Sequence, residues 1–279
     1  MSNTSKIIIC ATPIGNLSDV SNRLIQTLKD VDVIFAEDTR VTSKLLNYFD
    51  IKTPIKRLDE NLMDKNAQLV INEAKSGKLI AYCSDAGMPG VSDPGLKLVS
   101  AARASNIEVE VLPGPTAAIS AYVLSGFTNQ NFYFGSFLPR KSSELKQKLI
   151  ELSKLDAVLI FYESPNRLIS ALKGIAEVLP DLQISVAREL TKIHEEVVSG
   201  NSIDVYRQFE SRESIKGEIV ICINSKGVDE KSLDFERINS LANKLYAQGL
   251  KSSAIAEILC DAFDISKNEA KKAALDAKK

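Results

Sequence analysis

The chain has 279 residues, of which 44% are hydrophobic and 25% charged; that is enough for about two domains at roughly 100–200 residues each, and it excludes wholesale disorder, collagen-like repeats and coiled-coil architecture. Thirty-five Lys and Arg against 36 Asp and Glu leave a net charge of −1. No global field attracts a polyanion, and any contact with nucleic acid must be a local patch.

In chain order, Lys6–Ala11, Asp32–Glu37, Leu79–Ser84 and Ile107–Leu112 read as strands, with helix patterns at Ser18–Leu28, Thr39–Phe49, Asp64–Ser76 and Gly95–Ser105 between them. Strands alternating with helices of this length predict an open, mostly parallel α/β sheet covered on both faces. Its ligands gather beyond the carboxyl ends of the strands. After the Leu-Pro-Gly-Pro hinge at Leu112–Pro115 the pattern changes. Phe132–Phe137, Ala157–Glu163, Gln183–Glu189, His194–Gly200 and Lys216–Ile223 read as strands of a mixed sheet, with helices at Ser143–Leu152, Asn166–Val178 and Ile203–Phe209. A polar break at Ser225–Lys231 precedes three helices, Asp234–Ala247, Ser252–Phe263 and Ser266–Ala277, with Ser252 and Ser266 as N-caps and Gly249 and Asp264 as breaks. Residues Ile238, Leu241, Leu245, Ile255, Ile258, Leu259 and Phe263 are expected to form a mini-core there. The fold class is therefore α/β, with an N-terminal α/β domain over 1–114, a C-terminal α/β domain over 115–226 and a helical appendage over 230–279.

No apolar run approaches the ~18 residues that span a bilayer, and Met1–Lys6 is polar, so a cytoplasmic protein is expected. Cys10, Cys83, Cys222 and Cys260 form no CxxC pair and read as buried thiols. The single histidine, His194, excludes a multi-histidine zinc site, and no metal is expected. Neither GxGxxG nor a Walker loop is present.

Three Gly/Pro/Asp-rich loops each follow a strand: ATPIGN (Ala11–Asn16), SDAGMPGVSDPG (Ser84–Gly95) and LPGPTAA (Leu112–Ala118). Together they can cradle a small polar molecule with main-chain groups, although glycine is common in any βα loop. Asp85, a charge at the end of an apolar strand, is the ligand candidate; Asp93, before Pro94 at a helix start, reads as a cap.

These loops, together with AEDTR (Ala36–Arg40), FYESPNR (Phe161–Arg167), ARELTKIHEE (Ala187–Glu196) and KGE (Lys216–Glu218), resemble the RNA-acting branch of the tetrapyrrole (corrin/porphyrin) methylase superfamily. The matches run in order from about Ala11 to Glu218, and that branch also has a helical tail. The resemblance implies S-adenosylmethionine as methyl donor and the 2′-hydroxyl of a cytidine in the decoding region of 16S ribosomal RNA, free or in the small subunit, as acceptor. It also implies a homodimer. Asn166 and Met88 depart from the family's commoner histidine and threonine, and Gly15-Asn16 departs from the Gly-Asp of the porphyrin branch.

Residues matched to the cofactor motifs are Pro13, Gly15, Asn16, Ser84, Asp85, Ala86, Gly87, Met88, Thr116, Ala117, Tyr162, Ala187 and Gly217. Methyl transfer to an alcohol needs in-line geometry and a proton acceptor, for which Glu163, Glu189 and His194 are the candidates. Phosphate contacts are expected from Arg40, Arg140, Lys141, Arg167, Arg188, Lys192 and Lys216, with four positive residues against Glu144 in the run Arg140–Lys148. Lysines on a helix, such as Lys146 and Lys148, are also what a solvated face carries, and a charge-rich segment such as ARELTKIHEE can equally be laced with ion pairs. Two alternatives stand beside this reading: a C-methyltransferase acting on a corrin or porphyrin precursor, and a non-catalytic RNA-binding assembly protein.

Overall fold

The computed structural model describes residues 5–227, 230–263 and 265–277. The chain divides into two compact units, residues 1–150 with 157–224, and residues 151–156 with 225–279. Both sheets lie in the first unit, apart from the strand-end residues Asp156, Ser225 and Lys226.

The first sheet contains β1 (Lys6–Cys10), β2 (Val33–Ala36), β3 (Ile55–Arg57), β4 (Leu79–Cys83) and β5 (Glu108–Leu112), in the order β3-β2-β4-β1-β5. All four pairings are parallel. The strands are linked through α1 (Asn22–Asp30), α2 (Thr39–Tyr48), α3 (Glu60–Lys75) and α4 (Gly95–Ala104). Alternate residues face opposite ways, as the pleat requires. Ile7, Ile9, Phe35 and Tyr82 pack with Val70 and Ile71 of α3 and Leu98 of α4. Ile8, Cys10, Ile34 and Cys83 pack with Leu24 and Leu28 of α1 and Leu45 of α2. Covering both faces explains why the inner strands β1, β2 and β4 are apolar almost throughout, whereas the edge strands β3 and β5 carry charged residues.

The second sheet has the order β6-β7-β10-β8-β9, from β6 (Phe132–Phe137), β7 (Asp156–Glu163), β8 (Gln183–Arg188), β9 (Glu196–Asn201) and β10 (Ile219–Lys226). It is mixed: β6 runs parallel to β7, whereas β8 is antiparallel to both β9 and β10. One face packs α5 (Ala117–Leu124) and the loop residues Ile14 and Leu190 over Val158, Ile160, Ala187, Val220 and Cys222. The strand residues that alternate with these, among them Leu159, Phe161, Val186 and Ile221, are fully buried. The other helices of this half are α6 (Ser142–Leu152), α7 (Pro165–Val178) and α8 (Ser202–Glu210).

In the second unit, α9 (Glu230–Ala247), α10 (Ser252–Phe263) and α11 (Lys267–Asp276) share a core of Ile238, Ala242, Ile255, Leu259, Ala270 and Ala274. Leu241, Leu245 and Phe263 pack at its edge, whereas Ile258, expected inside, is exposed because it falls on the outer face of α10. Ser266 forms a capping box with Glu269. Ser252 is the first helical residue rather than a cap, since the Lys251 carbonyl accepts from both Ala254 and Ile255. The expected break at Asp264 lies outside the described residues.

Several boundaries differ from the sequence reading. Ser18–Leu28 is two pieces, a 3-10 turn at Leu17–Asp19 and then α1, because Ser21 caps the Leu24 amide and restarts the helix. The strand expected from His194 begins at Glu196, after a turn in which Lys192 N–H donates to the Glu189 carbonyl and Glu195 N–H to that of Lys192. The strand expected from Lys216 begins at Ile219. Two elements, β3 and α5, stand where the sequence pattern predicts neither strand nor helix.

Candidate functional site

The three Gly/Pro/Asp loops meet. Thr12 and Gly87 exchange backbone hydrogen bonds of 2.9 and 3.0 Å, and the Ala11 amide donates to the Leu112 carbonyl at 3.4 Å. Parallel pairing puts the carboxyl ends of β1, β4 and β5 side by side, so the loops leaving them converge on one edge. Loop 11–16 also packs on the segment after β8. The Asn16 amide donates to Thr191 Oγ1 at 3.1 Å, and a Cβ on Gly15 would come within 2.5 Å of Lys192 Cγ and 2.8 Å of Thr191 Oγ1.

Between these loops and the second sheet lies a cavity of about 320 Å³, the size of a small-molecule site. The first sheet's loops contribute Ile14, Ala86, Gly87, Met88, Thr116 and Ala117; the second half contributes Phe137, Tyr162, Glu163, Leu190, Gly217 and Val220. The lining includes two acids, Glu163 and Glu218, and no lysine or arginine. The Tyr162 phenol lies against Thr116 and the Ala118 amide, and burial raises its pKa. Phe137 reaches the wall through a bulge in β6, where Ser136 has a φ of +57° and its hydroxyl lies 2.8 Å from that of Ser92.

Glu163 ends β7, and its side chain is wholly buried. Its Oε1 accepts from the Ser164 amide at 2.7 Å. Arg167 Nη2 stands 3.2 Å from Oε2 but donates instead to the carbonyls of Leu138 and Pro139, at 2.7 and 3.1 Å. Oε2 therefore has no hydrogen-bond partner. Burial holds this carboxyl above the ordinary range, offset in part by the Ser164 amide and the Arg167 charge.

The other two acid–base candidates stand elsewhere. Glu189 Oε1 accepts from Lys192 Nζ at 2.7 Å and from the Glu218 amide at 3.0 Å, which holds its pKa low and makes it a clasp on the 216–218 turn. His194 is exposed on the 191–195 turn and does not line the cavity.

Of the cofactor-motif residues, Ala86, Gly87, Met88, Thr116, Ala117, Tyr162 and Gly217 line the cavity. Pro13, Gly15, Asn16, Ser84, Asp85 and Ala187 do not. Asn16 caps the 3-10 turn by accepting from the Ser18 amide, and Ala187 is buried in the second sheet. Asp85 braces the neighbouring strand end: its Oδ1 accepts from the Asp38 amide at 2.9 Å, and burial raises its pKa. Asp93 accepts from the amides of Gly90 and Gly95, at 2.6 and 2.9 Å, and so braces the loop just before α4, whose N-cap position is taken by Pro94 rather than by Asp93.

The expected phosphate contacts are mostly engaged within the protein. Arg40 pairs with Asp38, Lys141 with Glu144, Arg188 with Glu196, and Lys192 with Glu189 and Glu218. Among the described residues, Arg140 and Lys216 are exposed and make no ion pair. The wall residues that sequence reasoning missed include Ser164, Pro165, Ile219 and Val220, although Ser-Pro at a strand end was a legible helix-start signal.

Two α/β halves whose first-sheet loops roof an acidic, apolar cavity on the second sheet define a two-lobed methylase scaffold, and the sequence profile described as Tetrapyrrole (Corrin/Porphyrin) Methylases matches residues 6–205. The chain belongs to this family. It is 42% identical over 221 residues to the ribosomal RNA small subunit methyltransferase I of Thermotoga maritima, covering 79% of this chain and 99% of that protein. It is 37% identical over 268 residues to the protein of that name from Haemophilus influenzae, covering 95% and 94%. Solved structures with the same fold include a diphthine synthase (TM-score 0.61, 13% identity, covering 77% of this chain and 88% of that one) and the uroporphyrin-III-C-methyltransferase of Thermus thermophilus (TM-score 0.53, 17% identity, 78% and 94%).

Proposed function

We propose that this chain transfers a methyl group from S-adenosylmethionine to the ribose 2′-hydroxyl of a cytidine in the decoding region of 16S ribosomal RNA, presented free or in the small subunit. The similarity to the ribosomal RNA methyltransferases along nearly their whole length supports the substrate. The buried Glu163 Oε2 in the cavity wall, which accepts no hydrogen bond and has only the Arg167 guanidinium 3.2 Å away, carries the chemistry.

The cavity suits this donor. Apolar walls with two carboxylates and no basic residue favour a cationic nucleoside over an anion. They also disfavour a carboxylate-rich tetrapyrrole at the same place. Ala86, Gly87, Met88, Thr116, Ala117 and Tyr162 would hold the donor, which supplies an electrophilic methyl carbon on a sulfonium. Glu163 then accepts the proton of the incoming hydroxyl, and a carboxylate of raised pKa is the stronger base for that step. Ile14, Leu190 and Val220 exclude water around it.

A homodimer is part of this reading. The sequence of α5 is apolar nearly all round, and Ile119, Val123 and Leu124 are exposed on it, with Phe132 nearby through its ring contact with Tyr122. Contiguous exposed apolar surface of this kind marks an interface. A ribosomal substrate also implies a cytoplasmic protein. Among the described residues no helix is long and apolar enough to cross a membrane, and no three metal-ligating side chains converge.

The test is incubation with methyl-labelled S-adenosylmethionine and either small ribosomal subunits, 16S RNA or uroporphyrinogen. Label is expected on ribose in the RNA or subunit samples. Label in the tetrapyrrole, or in none, overturns the reading.

A further inference from the structure

A second cavity of about 300 Å³ lies between α6 and α7 and contrasts with the first in charge. Arg140, Lys146, Arg167 and Lys173 line it against one acid, Glu177, over a floor that includes Leu145 and Ala171. Lys146 is held by Glu177 at 2.7 Å, while Arg140 and Lys173 are exposed and make no ion pair among the described residues. With Lys146 paired to Glu177 and Arg167 to Glu163, Arg140 and Lys173 supply the uncompensated positive charge of this concave site, a local feature on a chain whose net charge is −1. Ser142 adds a hydroxyl at its edge, whereas the Ser170 hydroxyl donates to the Arg167 carbonyl at 2.8 Å.

The two cavities share a wall. Arg167 lines the cationic one, and its guanidinium stands 3.2 Å from the Glu163 carboxylate that lines the acidic one. We infer that the α6–α7 cleft binds a backbone phosphate of the RNA strand next to the nucleotide being methylated, with Arg140 and Lys173 as its exposed, unpaired cations. This inference rests on the RNA methyltransferase reading and deepens it. The sugar is taken by a site that disfavours anions, so its flanking phosphate needs a separate cationic seat, and this cleft adjoins it. Phosphate contacts of this kind set position and register and carry no base information.

The experiment uses the full chain and its RNA substrate in the form found active. Arg140→Ala, Lys173→Ala and the pair are compared with wild type for KM of RNA, KM of S-adenosylmethionine, and RNA affinity across a salt series. Each single variant is expected to raise the KM for RNA several-fold, leave that for the donor unchanged, and flatten the log affinity against log salt slope by about 0.7–0.9; Lys173→Arg should restore it. Synthetic RNA in which one linkage is an uncharged methylphosphonate, moved along the strand, should weaken wild type at one linkage beside the target and leave the double variant indifferent there. Wild-type KM and salt slope in the double variant, with wild-type enzyme active, overturn the cleft alone. Wild-type enzyme that neither binds nor methylates RNA overturns the reading beneath it.

Discussion

Gly217 lies so close to Glu189 that a Cβ on the glycine would overlap the glutamate carboxyl, and its φ of +93° is one that L side chains rarely adopt. The same carboxyl accepts from the Glu218 amide, so glycine and glutamate together fix the turn that forms one edge of the cavity. Gly217→Ala is expected to lose about 1–3 kcal/mol of stability through backbone strain and the displaced clasp. Adding Glu189→Ala should recover part of that loss by removing the overlap and leaving only the strain. Urea unfolding of the two single variants and the pair measures the coupling; strict additivity would show that the contact is not felt.

Replacing the buried acid tests the chemistry directly. Glu163→Gln is expected to lower kcat by about 10²–10⁴ while the Kd for S-adenosylmethionine stays within about twofold. Turnover at the wild-type rate would remove Glu163 as the proton acceptor. The pH profile of wild type should fall on its acid side with an apparent pKa above the ordinary glutamate value of about 4.3, because burial raises this group.

The same raised pKa sets a stability difference whose sign can be worked out. A carboxyl whose folded pKa exceeds its unfolded one costs the folded state free energy once it ionises; the cost is absent below the unfolded value and complete above the folded one. Glu163→Gln should therefore match or exceed the melting temperature of wild type at pH 8 and show no such advantage near pH 3. A variant less stable than wild type at pH 8 would mean that the ionised form is favourably paired.

Glu196 behaves in the opposite way. It accepts from Arg212 at 2.7 and 2.8 Å and from Arg188 at 3.0 Å, and these partners hold its pKa down to about 2. Its contribution is fully present above the unfolded pKa and is lost as the pH falls from there through the folded value of about 2. Glu196→Gln should cost about 1–3 kcal/mol at pH 7, as charged hydrogen bonds do, with the two proteins converging near pH 2. Denaturant titrations at pH 7 and pH 3 check this.

The apolar face of α5 is tested by charge. If the proposed homodimer forms through this face, Val123→Asp is expected to shift sedimentation from dimer to monomer without lowering the melting temperature greatly, since Val123 is 70% exposed within one chain; a wild-type chain that sediments as a monomer overturns the dimer itself. An unchanged dimer would place the interface elsewhere.

The centre of the first sheet was legible because β1, β2 and β4 are apolar runs, and the Gly/Pro/Asp loops after β1, β4 and β5 are the cavity's roof. By contrast, β3 is three residues long with two of them exposed, which is too short to show a period. The α5 helix has no polar face, so it lacks the 3.6-residue signal. Asp85 carried a ligand signal that any charge at a strand tip gives. Only the strand order, with β4 beside β2, reveals that the Asp38 amide takes its carboxylate. Glu163 and Glu189 looked alike in sequence, and what separates them is the depth of one and the lysine beside the other.

Cys10 and Cys83 occupy paired positions on β1 and β4, sealed inside the first sheet, and Cys222 is buried in the second, while Cys260 of α10 is only half-buried. A thiol-reactive dye is thus a built-in reporter of how the molecule opens. Cys260 should label first, at a rate set by loosening of the helical unit, and the other three only when a sheet comes apart. Because Cys10 and Cys83 stand immediately before two of the loops proposed to hold the donor, slower labelling of that pair in saturating S-adenosylmethionine would register occupancy without any assay of turnover.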